Sequence, residues 1–344
     1  MSKNTFEKIL KTRGFKNIGN LDHVILSKNV LKRSGDIRKY LFSFYDQNYR
    51  QWSLRPDLSI SAALKFLKEN TKKKRKYWYS GVAYHKSFNK SNNVIKNQLG
   101  MEIFQSMNKR ADDKQILETA IKITQNKKKN AILKIGNIEI FESLINRLPD
   151  MPNRWKSRVI RHFSRENYFN QLLKKLSTNS DIDTKIVKRD ELIASRLRRQ
   201  DQNKTYGTAR SLEEILARYS SKQQDPRTKK NRVNAKIIRD YLKIECRIKD
   251  APKILNQFFK KNKLNLIISD DYFSIKKNNL KNIKVLYSSN TGRSNEYYSG
   301  MVFTIDLLKK FNKNKHYIIG GRFNLKKIGY RNVPAVGCAV NLDI

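Results

Sequence analysis

Four short segments of this chain gather the side chains that could do chemistry. The first is Leu54-Arg55-Pro56-Asp57-Leu58-Ser59. The second runs from Tyr79 through Ser80, Gly81, Val82, Ala83 and Tyr84 to His85, and is followed by Gln98, Gly100 and Glu102. The third is Arg293-Ser294-Asn295-Glu296-Tyr297-Tyr298-Ser299-Gly300. The fourth is Gly320-Gly321-Arg322-Phe323-Asn324, leading into Pro334 to Asp343. Asp57, Ser59, Gln98 and Glu102 are hydrogen-bond acceptors, Arg293 is a bidentate donor, and Tyr297 and Tyr298 are rings with a polar tip. Brought together by a fold, such a set could hold a small polar ligand. Taken singly, each segment has a plain reading as turn glycines, core tyrosines or surface carboxylates, so it is the order and spacing together that carry weight. Metal chemistry is not indicated: Cys246 and Cys338 are far apart and neither lies in a C-x-x-C pair.

The elements that must position these residues can be read from periodicity. Residues 5–13 carry Phe6, Ile9 and Leu10 at helical spacing, and 37–46 alternate as a strand, with 51–54 as its partner. A helix is expected over 59–69, opened by Ser59 as N-cap. Strands are expected at 77–86 and 98–104, and an amphipathic helix at 113–124. From 145 to 262 the spacing is helical, broken by linker-like stretches at 200–204 and 220–232. The last part returns to short strands at 264–269, 284–287, 298–303, 317–320 and 336–342. The expected architecture is α+β, an antiparallel sheet flanked by helices and interrupted by a helical insertion. Its divisions fall at 1–145, 146–262 and 263–344.

Composition bounds the function. The chain has 344 residues, 38% of them hydrophobic, enough for a substantial core. No apolar run reaches the roughly 18 residues of a membrane span, and the N-terminus has no apolar signal region. A reduced, cytoplasmic protein is expected. The formal charge of +44 points by itself to an anionic partner. It is spread over the whole Lys-, Asn- and Ile-rich chain, however, which favours a solvated surface. Non-specific RNA binding at low salt is the expected consequence.

The ordered set of segments resembles the histidyl-tRNA synthetase family over about residues 1–140 and 270–344. That family carries L-R-P-E-x-T, then W-Y-x-G-P-V-F-R, Q-x-G-x-E, R-G-L-D-Y-Y-T and G-G-R-Y-D in the same order. The resemblance implies a class II synthetase core with a histidine pocket. In it Asp57, Ser59 and Gln98 would accept from the α-amino group, and Glu102 would accept from the imidazole. Arg293 would take the α-carboxylate, and Tyr297 and Tyr298 would wall the site.

The departures fall on the ATP half. Where the family strand ends in an arginine gripping the α-phosphate, this chain has His85, and a mostly neutral imidazole does not replace a planar, always-charged fork. The carboxylate expected before Gln98 is replaced by Val94-Ile95-Lys96-Asn97, and the family's last arginine and anticodon-binding domain are not expected after Asn341-Leu342-Asp343-Ile344. Adenylation depends on clamping phosphates, so it is not expected here.

A kept histidine half beside a lost ATP half resembles the regulatory subunits of ATP phosphoribosyltransferase. Asp57-Leu58 where the synthetases have Glu-Gly, the run Lys134 to Ile138 with Phe141, Trp155 leading to Arg161-His162-Phe163, and the close from Ala335 to Asp343 are of that type. His162 reads as structural. The resemblance implies no catalytic residue, cofactor or metal. It also implies a short-form catalytic partner, histidine as feedback effector, and a homodimer within a hetero-oligomer. Two other readings compete: a divergent histidyl-tRNA synthetase, and a tRNA-binding synthetase paralogue.

Overall fold

The computed structural model describes residues 3–27, 41–84, 94–127, 129–178, 192, 230–273, 280–293, 297–308, 316–328 and 330–344. They divide into two units. The first comprises Met1–Phe141, Lys243–Phe258 and Ile267–Ile344; the second comprises Glu142–Leu242 and Phe259–Leu266. No helix among the described residues is long and apolar enough to cross a membrane.

The first unit is built on a nine-stranded sheet. In chain order its strands are β1 (Lys16–Asn17), β5 (Arg75–Tyr84), β6 (Ile95–Phe104), β7 (Ala131–Asn137), β8 (Glu245–Arg247), β9 (Ile283–Ser288), β10 (Tyr298–Leu307), β11 (Ile318–Asn324) and β12 (Pro334–Asn341). Their spatial order is β1-β5-β6-β12-β11-β10-β7-β9-β8. Pairing is antiparallel except between β1 and β5 and between β7 and β9. A smaller sheet, β2 (Val24–Leu26), β4 (Gln51–Leu54) and β3 (Ser43–Tyr45), has β4 in the middle.

Strand alternation sends the two faces of the large sheet to different fates. Trp78, Met101, Ile103, Phe303, Ile305, Val336, Cys338 and Val340 point to one side. There they pack against Phe6 and Leu10 of α1 (Lys3–Thr12) and Ile116, Leu117, Ala120 and Ile121 of α3 (Lys109–Gln125). Each large apolar side chain buried this way contributes about 1.5–3 kcal/mol relative to exposure. The opposite face carries Tyr77 and Tyr79 of β5, Gln98, Gly100 and Glu102 of β6, and Gly337 of β12, which stand at facing or alternate positions of the ladder. Helix α2 (Leu58–Lys68) follows β4 and buries Phe66, which stacks on Phe104 with ring centroids 4.8 Å apart.

The second unit contains most of α4 (Ile138–Arg147), then α5 (Asn153–Arg161), α6 (Glu166–Thr178) and α7 (Lys230–Leu242). It also takes the end of α8 (Ala251–Lys261). Trp155, Val159, Phe169, Leu172, Leu173, Leu176, Ile238 and Tyr241 are buried in it. His162 ends α5 and meets the Tyr168 ring edge-on at 4.6 Å. A packing role for His162 agrees with that geometry.

Four local expectations are corrected. The cap of α2 is Asp57, not Ser59: Asp57 has an extended φ of −150° and its carboxylate accepts from Ile60 N at 2.8 Å. Residues 264–269 form no strand, because the backbone of Ile268 is taken up at N and O by the Asn256 amide, both at 2.8 Å. Strand β8 lies in the stretch expected to be helical; three residues are too few to impose a period. Residues 230–232, expected in a linker, open α7. Of the 37–46 strand, 43–45 form β3, while 37–40 lie outside the described residues, as does the 200–204 linker.

Candidate functional site

Ser59, Tyr79 and Glu102 form one hydrogen-bonded group on the sheet face opposite α3. In the β5–β6 ladder Tyr77 faces Glu102, Tyr79 faces Gly100 and Gly81 faces Gln98. Tyr79 therefore lies diagonal to Glu102, within reach of a long side chain. Its hydroxyl donates to Glu102 Oε1 at 2.7 Å, and Ser59 Oγ lies 3.3 Å from the same hydroxyl. This crossing needs two glycines. A Cβ on Gly100 would stand 2.2 Å from the Tyr79 ring, and one on Gly337 would stand 2.4 Å from Glu102 Cγ.

The electrostatics follow from burial. Glu102 is 1% exposed, and burial pushes its carboxyl up to about 7, although hydrogen bonds from Ser59 and Tyr79 oppose the shift. Asp57 is also raised by desolvation, against the backbone N–H groups of Ile60 and Ser59 that favour its anion. Tyr79 and Tyr297 are pushed well above the ordinary phenol range, first by burial and then by neighbouring charge, so both stay neutral donors. Two acceptors in this region have no hydrogen-bond partner: Glu102 Oε2 and Gln98 Oε1, both buried. A buried acceptor left unpaired costs about 1–3 kcal/mol, a cost that an N–H donor brought to either atom would remove.

Asp57, Ser59, Gln98 and Glu102 thus share one side of the fold, together with two tyrosines. Tyr297 packs on Tyr298 at 4.6 Å and edge-on to Phe323 at 5.8 Å, and the charges of Asp57 and Glu102 reach it. Arg293 stands in the β9–β10 connection, where its Nη1 donates to Asn290 Oδ1 at 3.1 Å. His85, the expected mark of the lost ATP half, lies outside the described residues.

Two side chains matter that the sequence reading did not place among the site residues. Tyr79 is one; in the sequence it reads as a core tyrosine, and only the observed register sets it two residues from the partner of Glu102. Arg55 is the other. It is 2% exposed and spans β4 to its neighbours by donating from Nε to Val82 O at 2.7 Å and from Nη1 to Leu21 O at 2.6 Å. Its Nη2 would lie 2.9 Å from a Cβ on Gly81, beside the position that faces Gln98. Arg322, from the glycine-rich fourth segment, belongs to the other sheet face. There it pairs with Asp113 at 2.5 Å and donates to Ser106 Oγ and Lys109 O, each at 3.0 Å.

A mostly antiparallel sheet with α1 and α3 on one face, and an acceptor-rich floor partly covered by α2 on the other, is the layout of a class II synthetase-like core. The chain belongs to the histidyl-tRNA synthetase family, whose model matches residues 3–241. Among its relatives are the ATP phosphoribosyltransferase regulatory subunits of Sinorhizobium fredii, 24% identical over 336 residues, and of Allorhizobium ampelinum, 25% identical over 328. These matches cover 90% of this chain and 86% and 87% of the relatives.

Solved structures share the fold. An ATP phosphoribosyltransferase regulatory subunit/histidyl-tRNA synthetase from Bacillus halodurans C aligns with a TM-score of 0.55 and 14% identity, over 99% of this chain and 76% of that one. A chain of the ATP phosphoribosyl transferase (HisG:HisZ) complex from Thermotoga maritima aligns with a TM-score of 0.53 and 16% identity, over 98% and 95%.

Proposed function

We propose that this chain is the non-catalytic regulatory subunit of an ATP phosphoribosyltransferase, and that it holds histidine in the pocket around Glu102. One observation carries the reading. Two buried acceptors without a hydrogen-bond partner, Glu102 Oε2 and Gln98 Oε1, occur on one sheet face of a chain whose relatives over 90% of its length are named as regulatory subunits of that enzyme. Histidine brings an ammonium group and an imidazole N–H, the donors such acceptors require.

In this reading Asp57, Ser59 and Gln98 accept from the α-ammonium group and Glu102 accepts from the imidazole. Tyr297 and Tyr298 wall the ring, and Arg293 takes the α-carboxylate. His85 occupies the place of the phosphate-gripping arginine, so the chain forms no adenylate. It needs no metal or cofactor of its own. It works in the cytoplasm as a homodimer within a hetero-oligomer, supporting a short-form catalytic subunit in the first step of histidine synthesis. Feedback then requires that histidine bind one state of the assembly more tightly than the other.

The test is reconstitution. The purified chain is mixed with a short-form catalytic subunit, and phosphoribosyl transfer to ATP is measured with and without histidine. The expected result is activity that depends on this chain and is suppressed by histidine, with no histidine-dependent pyrophosphate exchange by the chain alone. Transfer indifferent to histidine would reject the reading, and pyrophosphate exchange would restore the synthetase alternative.

A further inference from the structure

On the α3 side of the large sheet, across it from Glu102, lies a cavity of ≈ 310 Å³. Its floor is apolar, made by Leu117 of α3, Ile135 of β7 and Met301 of β10. Tyr272 and Phe273 wall one side, their rings 4.9 Å apart and edge-to-face. A volume near 300 Å³ with an apolar lining and a few polar groups is of the size that takes a small organic ligand.

The charged groups at this cavity fall into two sets. Three cations are already neutralised within the protein. Lys109 pairs with Glu139 at 2.6 Å, Arg110 pairs with Asp271, and Arg322 pairs with Asp113 at 2.5 Å. Lys114 and Glu118 form the second set. They stand one turn apart on α3 and both line the cavity. Among the described residues neither side chain has a hydrogen bond or ion pair, not even with the other. One free cation and one free anion, side by side over an apolar floor, are complementary to a ligand carrying both charges on a short backbone and an apolar group behind them.

We propose that this cavity is a binding site for a small amino acid with an apolar side chain, distinct from the pocket around Glu102. The side chain rests on Leu117, Ile135 and Met301, against the ring of Phe273. The ammonium group meets Glu118, which is half-buried, and the carboxylate meets Lys114, which is exposed at the mouth. The site does not depend on the identity of the ligand on the other sheet face.

The experiment is titration calorimetry of the full chain with L-phenylalanine and L-leucine. N-acetyl-phenylalanine and phenylalaninamide serve as probes that each lack one charge. The expected result is saturable binding of at least one of the amino acids, weakened about tenfold or more by blocking either charge. K114M and E118Q should each weaken binding by a similar factor. Both changes sit on the cavity rim of α3, outside the ion pairs, so the fold should tolerate them, which thermal melting checks. E102Q should leave this binding unchanged. No saturable binding up to about 10 mM of either amino acid would overturn the proposal. So would undiminished binding of both blocked probes, or binding abolished by E102Q and indifferent to K114M, which would assign it to the other pocket.

Discussion

Tyr79 reaches diagonally across the β5–β6 ladder and donates its hydroxyl proton to Glu102 Oε1 at 2.7 Å, leaving Oε2 of the same carboxyl buried and unpartnered. One oxygen of this carboxyl has a donor within the protein, and the other is buried without one. A ligand with a ring N–H would therefore be held at Oε2. Gly100 and Gly337 make the arrangement sterically available by leaving room for the Tyr79 ring and the Glu102 stem.

The first prediction concerns Glu102→Gln. The amide keeps a carbonyl oxygen for Tyr79 but loses the charge that a ligand N–H would meet. A hydrogen bond to a charged group is worth about 1.5–3 kcal/mol, so histidine affinity should fall by one to two powers of ten. Melting temperature should not fall, since a buried carboxylate is being removed. Calorimetry with histidine reads the first quantity and thermal denaturation the second. An unchanged Kd would remove Glu102 from the ligand contacts.

The same residue predicts a pH dependence of stability. Burial raises Glu102 from an ordinary value of 4.5 to about 7. Between these pH values the folded protein keeps a proton that the unfolded chain has released, so the folded state binds more protons and stability falls as pH rises. The contribution is fully present below about 4.5 and lost once pH has passed about 7. It amounts to about 3 kcal/mol at 1.36 kcal/mol per unit. Other carboxyls titrate in the same range, so the quantity to measure is the difference between wild type and E102Q in urea midpoints from pH 4.5 to 7.5. A difference that stays flat across that range would contradict the assignment.

How much of this was legible in the sequence depended on what each residue had to reveal. β5, β6, β10, β11 and β12 were legible because one face of each is apolar and the period is two. The α2 cap was misread because Asp57 and Ser59 are both good caps, and only the extended backbone at Asp57 decides between them. The absence of a strand over 264–269 was not legible, since it depends on a side-chain amide of Asn256 elsewhere in the chain. The gathering of Asp57, Ser59, Gln98 and Glu102 on one side of the fold was legible through the order of the motifs. Tyr79 was not, because a tyrosine in a buried strand reads as core until the register places it beside Glu102.

Asp57 has two separable roles, which yield the third prediction. As N-cap of α2 it accepts from Ile60 N, and loss of such a cap costs about 1 kcal/mol. As a ligand acceptor it would contribute a charge. Asp57→Ala should lower both stability and histidine affinity. Asp57→Asn keeps the capping oxygen, so its melting temperature should stay within about 1–2 °C of wild type while histidine binding weakens. Equal affinity in wild type and D57N would confine Asp57 to the cap.

The fourth prediction tests Arg322 as the anchor of the sheet face behind the pocket. Its guanidinium is 3% exposed; Nε donates to Asp113 Oδ1 at 2.8 Å, and Nη2 donates to Ser106 Oγ and Lys109 O. Ser106 Oγ in turn donates to Asp112 Oδ2 at 2.8 Å, so α3 is tied to β11 and to the end of β6 through one cation. Burial raises the Asp113 carboxyl, and Arg322 is the group that holds it down. Truncating Arg322 leaves that carboxylate and the Ser106 and Lys109 acceptors without their donor, and removal of one partner from a buried pair costs about 3–5 kcal/mol. Because Asp113 keeps some contact with solvent, the lower end of that range is expected for Arg322→Ala, read as a drop in the urea midpoint at unchanged slope. Replacing both partners, as in R322M with D113L, should recover much of the loss, since the remaining cost is then only that of the unpaired Ser106 and Lys109 oxygens. A double variant as unstable as the single one would show that the tie to Ser106 and Lys109, and not the ion pair, is what holds α3 to the sheet.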